Sequence, residues 1–147
     1  MLIGREKIAG MIPHSGTMQL LDGVLSWDSA RIRCFSRTHR DERNPLRCGA
    51  ELPALCGIEY AAQAMALHGS LTGHAGGKPR AGYLASLRDV VCRRRRIDDL
   101  EGELIVEAEK LMGEESRVIY GFEVRVGESR VLHGRAAVVL DADRVKT

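Results

Sequence analysis

The sequence predicts an α+β fold in which a curved antiparallel sheet wraps around one long central helix. Two observations lead to this prediction: a single long apolar segment of helical character, residues 52–69, and several strand-like stretches before and after it. One apolar helix can be hidden from water if a sheet covers it, because helices and sheets bury their apolar faces against each other. The remaining face or edge of the sheet must be buried elsewhere, which predicts a dimer.

The central helix is predicted from the longest apolar run in the chain, which begins at Leu52 and ends at Gly69. Pro53 suits a first helical turn, where its missing N–H costs nothing, and Gly69 suits the end. Apolar or small residues occupy every side of the segment, so we expect a buried helix rather than an amphipathic one. Within it, a carboxylate, Glu59, and an amide, Gln63, lie one turn apart on the same face.

The other elements follow from turn residues and from hydrophobic alternation. Residues 4–11 predict a short helix that ends before a proline, and the alternation from Val118 to Val126 is typical of a half-exposed antiparallel strand. Strands are predicted over residues 19–27, 31–38, 81–92, 103–111, 116–126 and 130–140. A glycine-rich stretch, residues 72–79, links the helix to the later strands, and residues 1–147 are predicted to form a single domain.

Composition and charge exclude several classes of function. Hydrophobic residues make up 44% of the chain and charged residues 29%, as in an ordinary soluble globular protein. No run is long enough to cross a bilayer, and the N-terminus lacks the features of a signal peptide, so we expect a cytoplasmic protein without membrane insertion. The net charge of +2 and the 4% aromatic content do not indicate nucleic-acid binding. The scattered cysteines and histidines lack metal-ligand spacing, so no metal site is predicted.

Glu59 is the residue on the central helix that most needs an explanation. An ionised, unpaired carboxylate in apolar surroundings costs several kcal/mol, so it must be paired, protonated or facing a cavity. A structural hydrogen bond to a neighbouring backbone group or arginine is one explanation, and a catalytic role is the other.

Two motifs resemble those of the β-hydroxyacyl-acyl-carrier-protein dehydratases of fatty-acid synthesis, which have the hotdog fold. Their L-P-H-x-x-x-x-x-L-x-D-x-V-L pattern is matched by Pro13, His14, Leu20, Asp22, Val24 and Leu25. Their P-x-x-x-x-x-E-x-x-A-Q helix is matched by Pro53, Glu59, Ala62 and Gln63. The resemblance covers nearly the whole chain, which looks most like the divergent dehydratase-like proteins associated with aryl-polyene biosynthesis.

The resemblance implies dehydration of 3-hydroxyacyl-acyl-carrier-protein thioesters to trans-2-enoyl thioesters, in a polyene or fatty-acid-like pathway. Glu59 would be the acid, and His14 or His39 the base. The family carries its usual catalytic histidine in a G-H-F-P loop before the helix, whereas residues 44–52 contain no histidine. Two alternatives therefore stay open. One is a hotdog acyl-thioesterase, which also places a carboxylate on the central helix, and the other is a non-catalytic partner subunit of an active hotdog dehydratase.

The same resemblance implies a substrate site at the start of the helix. Backbone N–H groups from Ala54 to Gly57 are candidate donors to the thioester oxygen, aided by the helix dipole. Gln63 would orient Glu59 or hold the backbone of a neighbouring strand. Asn44 is a candidate donor to the substrate in place of the missing histidine.

A run of four arginines is the local excess of positive charge. Acyl carrier proteins are acidic and carry a phosphopantetheine phosphate, so these arginines would steer docking, or else they protect the end of a strand. They are Arg93, Arg94, Arg95 and Arg96. No cofactor is expected beyond the phosphopantetheine of the carrier, and the predicted dimer is either a homodimer or a heterodimer with another hotdog dehydratase.

Overall fold

The computed structural model describes residues 2–73, 82–114 and 116–140. Within these ranges there are two helices, Arg5–Ala9 (α1) and Gly57–Thr72 (α2), and short 3-10 turns at Gly16–Met18, Thr38–Arg40 and Ala54–Cys56. The strands are Ile3–Gly4 (β1), Gly23–Trp27 (β2), Arg31–Ser36 (β3), Gly82–Cys92 (β4), Leu104–Gly113 (β5), Arg117–Val126 (β6) and Ser129–Leu140 (β7). Of the predicted glycine-rich stretch, residues 74–79 lie outside the described residues, as does residue 81 at the start of the third predicted strand.

The strands form one seven-stranded sheet in the order β1-β2-β3-β5-β6-β7-β4, and every neighbouring pair is antiparallel. The predicted antiparallel sheet with one long helix is confirmed. Because α2 connects β3 to β4, the chain crosses the sheet there, and β4 pairs at the far edge with β7.

A row of apolar side chains across the middle of the sheet supports the start of α2. Cys34, Val106, Val124 and Leu132 are paired in register across four strands, and each is 0% exposed. A Cβ built on Gly57 would lie 3.0 Å from Leu132 Cδ2 and 3.5 Å from Val124 Cγ2. Glycine therefore lets the first turn of the helix approach the sheet closely.

The helix begins and ends later than the sequence predicts. Pro53 is extended, with ψ of 143°, because this segment pairs with the arginine run, and Ala54 N–H donates to the Arg95 carbonyl at 2.9 Å. Gly69 does not end the helix, because Leu71 still packs against the core. The helix therefore continues to Thr72.

One face of α2 is left partly uncovered by its own sheet. The buried face carries Tyr60, Ala61, Ala64, Leu67 and His68. The partly exposed face carries Ile58, Glu59, Ala62 and Ala66. The prediction that the helix is buried on every side is therefore wrong for the single chain, because one curved sheet covers one side of a helix.

The edge strand β4 also exposes apolar side chains. Leu84 is 41% exposed, Leu87 39% and Val91 41%. Among the described residues, no helix is both long and apolar enough to span a membrane.

Candidate active site

His14 and Glu59 meet at the surface of the sheet–helix unit. The imidazole Nε2 of His14 lies 3.4 Å from Oε1 of Glu59, and the two side chains are 25% and 37% exposed. His14 belongs to the loop between α1 and β2, while Glu59 lies in the first turn of α2. Of the two histidines that the sequence proposes as the base, this is the one that the structure brings to the carboxylate. Glu59 is also more exposed in the single chain than its apolar neighbours predict, because it lies on the partly uncovered face of the helix.

Gln63, one turn after Glu59, holds the segment that follows His14. Its Oε1 accepts a hydrogen bond from Leu20 N–H at 2.9 Å, and its Nε2 donates to the Met18 carbonyl at 2.7 Å. Gln63 is 0% exposed. Of the two supporting roles predicted for this amide, the structure therefore gives it the one in which it holds a neighbouring backbone.

A buried tyrosine beside Glu59 belongs to the same region and is not singled out by the sequence. The Tyr60 hydroxyl lies 2.8 Å from Thr38 Oγ1 and 3.0 Å from Asn44 Nδ2. Burial raises the pKa of Tyr60 to about 12, so the hydroxyl keeps its proton. The signal that could have found it is a tyrosine on an apolar helix, since a buried tyrosine hydroxyl needs a partner.

Asn44 has a different role from the one predicted. Its Nδ2 donates to Tyr60 and to the Thr38 carbonyl, and its Oδ1 accepts from Leu46 N–H at 2.9 Å. Asn44 is 6% exposed. Its amide is thus occupied within the chain and is not free to donate to a substrate.

His39 is a core residue and not a loop histidine that can move toward Glu59. It is 0% exposed, and its Nε2 lies 2.8 Å from the Leu100 carbonyl. Burial lowers the pKa of His39, so the ring is neutral and Nε2–H donates to that carbonyl. Reaching Glu59 would require the ring to leave its closed surroundings, so the structure does not bring these two residues together.

The amides predicted as oxyanion donors are largely occupied within the chain. Ala54 N–H donates to the Arg95 carbonyl, and Gly57 N–H donates to the Ala54 carbonyl within the 3-10 turn. These two groups are therefore not available to a substrate in this conformation. Between them, the N–H of Leu55 has no backbone acceptor among the described residues, and the Leu55 side chain is 56% exposed.

Three of the four arginines in the run are paired with acidic residues nearby. Arg94 contacts Asp99, Arg95 contacts Glu51, and Arg96 contacts both Asp98 and Glu51. The Arg96 guanidinium also holds the pKa of Asp98 well below its usual range. For the remaining residue, Arg93, the described part of the chain supplies no ion-pair partner. The run therefore braces the segment that precedes the helix, a role that the sequence does not predict, and carrier docking stays a prediction.

The cysteine at the start of the helix is electrostatically linked to Glu59. Burial raises the pKa of the Cys56 thiol, and the nearby Cys48 and Glu59 raise it further. The thiol is therefore protonated at neutral pH. In residues 2–73, 82–114 and 116–140, no three His, Cys, Asp or Glu side chains are grouped to hold a metal ion.

Solved structures with the same architecture include dehydratases and thioesterases. The chain is similar to the dehydratase heterocomplex ApeI:P from Xenorhabdus doucetiae, with a TM-score of 0.78, 18% identity, and 95% of this chain and 97% of that one covered. It is also similar to thioesterase HI1161 from Haemophilus influenzae, with a TM-score of 0.64, 14% identity, and 95% and 94% coverage. A conserved protein, PA5202, from Pseudomonas aeruginosa has a TM-score of 0.60, 21% identity, and 89% and 96% coverage. At these identities the likeness establishes the hotdog fold.

The family is established by the sequence itself. No curated protein matches the chain. A family model described as "ApeP dehydratase" matches residues 6–146, which is nearly the whole chain. The predicted relationship to the hotdog dehydratases is confirmed, and the chain belongs to the ApeP-like dehydratase family.

Proposed function

We propose that the chain dehydrates 3-hydroxyacyl thioesters carried by an acyl carrier protein, giving trans-2-enoyl thioesters in a polyene or fatty-acid-like pathway. The observation that carries the proposal is the 3.4 Å contact between His14 and Glu59 in one chain of a dehydratase family. Dehydration needs one group that takes a proton and one that gives a proton, and each typically contributes about 10²–10⁴ in rate.

The two side chains divide the proton transfers. His14 Nε2 takes the proton from C2 of the substrate, next to the thioester carbonyl. Glu59, as the acid, gives a proton to the departing hydroxyl, which leaves as water while the C2–C3 double bond forms. The proton on His14 then returns to Glu59 across the 3.4 Å contact, which restores both groups. The Leu55 N–H is the donor for the thioester oxygen, because it lies in the turn before Glu59 and lacks a backbone acceptor among the described residues.

A second hotdog chain completes the assembly in this proposal. The partly exposed face of α2 and the apolar edge strand β4 are both surfaces that a soluble chain buries against a partner. A dimer partner, either a second copy or another hotdog dehydratase, accounts for both. The ApeI:P structure, which is a heterocomplex by its description, favours the heterodimer.

Docking of the carrier protein would involve the arginine run, most of which already forms ion pairs within the chain. Arg93, which has no ion-pair partner in the described part of the chain, would be available to an acidic carrier protein. The other three arginines of the run would have to exchange an internal ion pair for an external one. We therefore expect a modest, salt-dependent contribution from this surface.

Product analysis with a Glu59→Gln variant tests the reaction. The chain, alone and with a second hotdog chain, is given a 3-hydroxyacyl group on an acyl carrier protein, and both enoyl product and free thiol are measured. We expect enoyl product, and a roughly 10²–10⁴-fold lower kcat for Glu59→Gln. Glu6→Gln, which alters an exposed carboxylate on α1, is the matched control and should keep full activity.

Two outcomes would contradict the proposal. Near wild-type turnover of Glu59→Gln would remove the acid from the mechanism, and if that turnover required the second hotdog chain, it would favour a non-catalytic subunit. Release of free thiol without enoyl product would mean hydrolysis, and hence a thioesterase.

A further inference from the structure

We propose that the Tyr60 hydroxyl is a positioning group, which acts through Thr38 and the Leu20 carbonyl to hold the His14 loop against Glu59. The inference rests on the proposed function, because it concerns the geometry of the proposed acid and base. Tyr60 does not contact the reacting groups, so its role is separate from theirs.

The hydrogen bonds around Tyr60 form a chain in which the donor and acceptor of each bond can be assigned. The single hydroxyl proton of Thr38 goes either to the Leu20 carbonyl, 2.8 Å away, or to Ser36 Oγ, also 2.8 Å away, which itself donates to that carbonyl. Thr38 Oγ1 must then accept the proton of the Tyr60 hydroxyl, 2.8 Å away. The Tyr60 oxygen in turn accepts from Asn44 Nδ2 at 3.0 Å. The chain of donors therefore starts at Asn44 and ends on the backbone of Leu20.

Leu20 is held from two sides by these contacts. Ser36 Oγ adds a second hydrogen bond to its carbonyl at 2.6 Å, and its N–H donates to Gln63 Oε1 at 2.9 Å. The Leu20 side chain is 0% exposed. Both backbone polar groups of Leu20 are thus fixed by side chains, three residues before the loop that carries His14 enters β2 at Gly23.

Helix α2 therefore positions both residues of the proposed acid–base pair, Glu59 and His14. Glu59, Tyr60 and Gln63 lie within five residues of α2. Glu59 contacts His14, while Tyr60 and Gln63 hold the backbone a few residues after it. A shift of the loop by about 1 Å would break the 3.4 Å contact, and misplacements of that size cost about 10²-fold in rate.

A second buried tyrosine supplies a matched control. Tyr120 is 4% exposed, and its hydroxyl lies 2.8 Å from His68 Nδ1, near the other end of α2. Burial raises the pKa of Tyr120 to about 12, as it does for Tyr60. Replacing either residue by phenylalanine removes one buried hydroxyl, but Tyr60→Phe alone interrupts the path to Leu20.

The test compares the side-chain NMR signals of His14 in these variants. Protein labelled with ¹⁵N-histidine is used, His14 is assigned with a His14→Gln variant, and Glu59→Gln defines the signals of a His14 without its carboxylate. We expect Tyr60→Phe to move the His14 signals toward those of Glu59→Gln, and Tyr120→Phe to leave them unchanged. In the dehydration assay, Tyr60→Phe should lower kcat roughly ten- to a hundredfold with little change in KM.

A second pair of variants covers the case in which Tyr60→Phe does not fold. Thr38→Val removes the hydroxyl that links Tyr60 to Leu20, and Thr38→Ser keeps it, so the first should reproduce the shift of the His14 signals and the second should not. His14 signals that stay at their wild-type positions in Tyr60→Phe and Thr38→Val would overturn the inference, as would equal shifts in Tyr60→Phe and Tyr120→Phe. If the signals shift as expected but no variant and no wild-type protein forms enoyl product, the positioning inference stands and the proposed function fails.

Discussion

Replacing Gln63 by leucine tests how α2 holds the His14 loop, because leucine keeps a similar size and removes both polar atoms. Two backbone groups then lose their partner. Leu20 N–H loses its bond to Oε1, and the Met18 carbonyl loses its bond from Nε2. Gln63 is 0% exposed, so water cannot replace its amide without a rearrangement.

The expected loss of stability can be worked out from these two bonds. The Leu20 N–H is buried, and an unsatisfied buried donor costs about 1–3 kcal/mol. The bond to Met18 is partly buried, so its loss is closer to the ordinary net value of about 1 kcal/mol. Together they predict that Gln63→Leu lowers the free energy of unfolding by about 2–4 kcal/mol.

Urea unfolding at equal protein concentrations measures this change, and equal concentrations matter because a dimer is stabilised by association. Gln19→Leu is the matched control, since Gln19 is 4% exposed and its amide makes one bond, from Nε2 to the Arg5 carbonyl. We expect the control to lose about 1 kcal/mol, with equal m-values for both variants. If Gln63→Leu lost no more stability than the control, the reasoning about the two hydrogen bonds of Gln63 would be wrong.

Two further predictions concern the helix. Burial lowers the pKa of His68, which is neutral and hydrogen-bonded through both ring nitrogens, although Asp28 raises the pKa slightly and Lys110 lowers it. The unfolded state therefore takes up a proton that the folded state does not, so the stability that His68 contributes is full above about pH 6.5 and is lost as the pH falls below it. His68→Gln should reduce the slope of the unfolding free energy between pH 7 and 5, to which the buried His39 also contributes, and an unchanged slope would contradict the assignment. Gly57→Ala should destabilise the fold by about 1 kcal/mol, because its Cβ would meet the buried Leu132 at 3.0 Å. Gly69→Ala, with nothing within 4 Å of the added Cβ, should stabilise it by about 0.5–1 kcal/mol, and thermal melts that show the same sign for both would refute the packing argument.

Turn residues and hydrophobic alternation predicted six of the seven described strands, with errors of up to four residues at their ends, but not their order in the sheet. Alternation of side chains is a local property of the backbone, so β6 and β7 could be placed to within one residue. The two-residue strand β1 was missed because it is too short to show alternation. The late start of α2 was also missed, because Pro53 is held in an extended conformation by the distant segment around Arg96.

Glu59 and His14, the two side chains that meet in the candidate site, were both singled out by the sequence, but their contact was not. Glu59 stands out because a carboxylate on an apolar helix is costly to bury. His14 stands out because the motif around Pro13 resembles that of a known family. Which histidine meets the carboxylate depends on how a loop packs against a helix more than forty residues away. That packing is decided by the contacts of Gln63 with Leu20 and Met18.

The tertiary structure alone decided which polar groups are free and which are already used. Asn44, the amides of Ala54 and Gly57, and most of the arginine run are suitable donors by residue type, yet each is satisfied within the chain. A hydrogen bond or ion pair between segments distant in sequence leaves no periodic pattern, because it depends on three-dimensional proximity and not on spacing along the chain. The sequence alone was therefore enough to predict the fold and to single out the carboxylate of Glu59, whereas the tertiary structure was needed to show which histidine faces it.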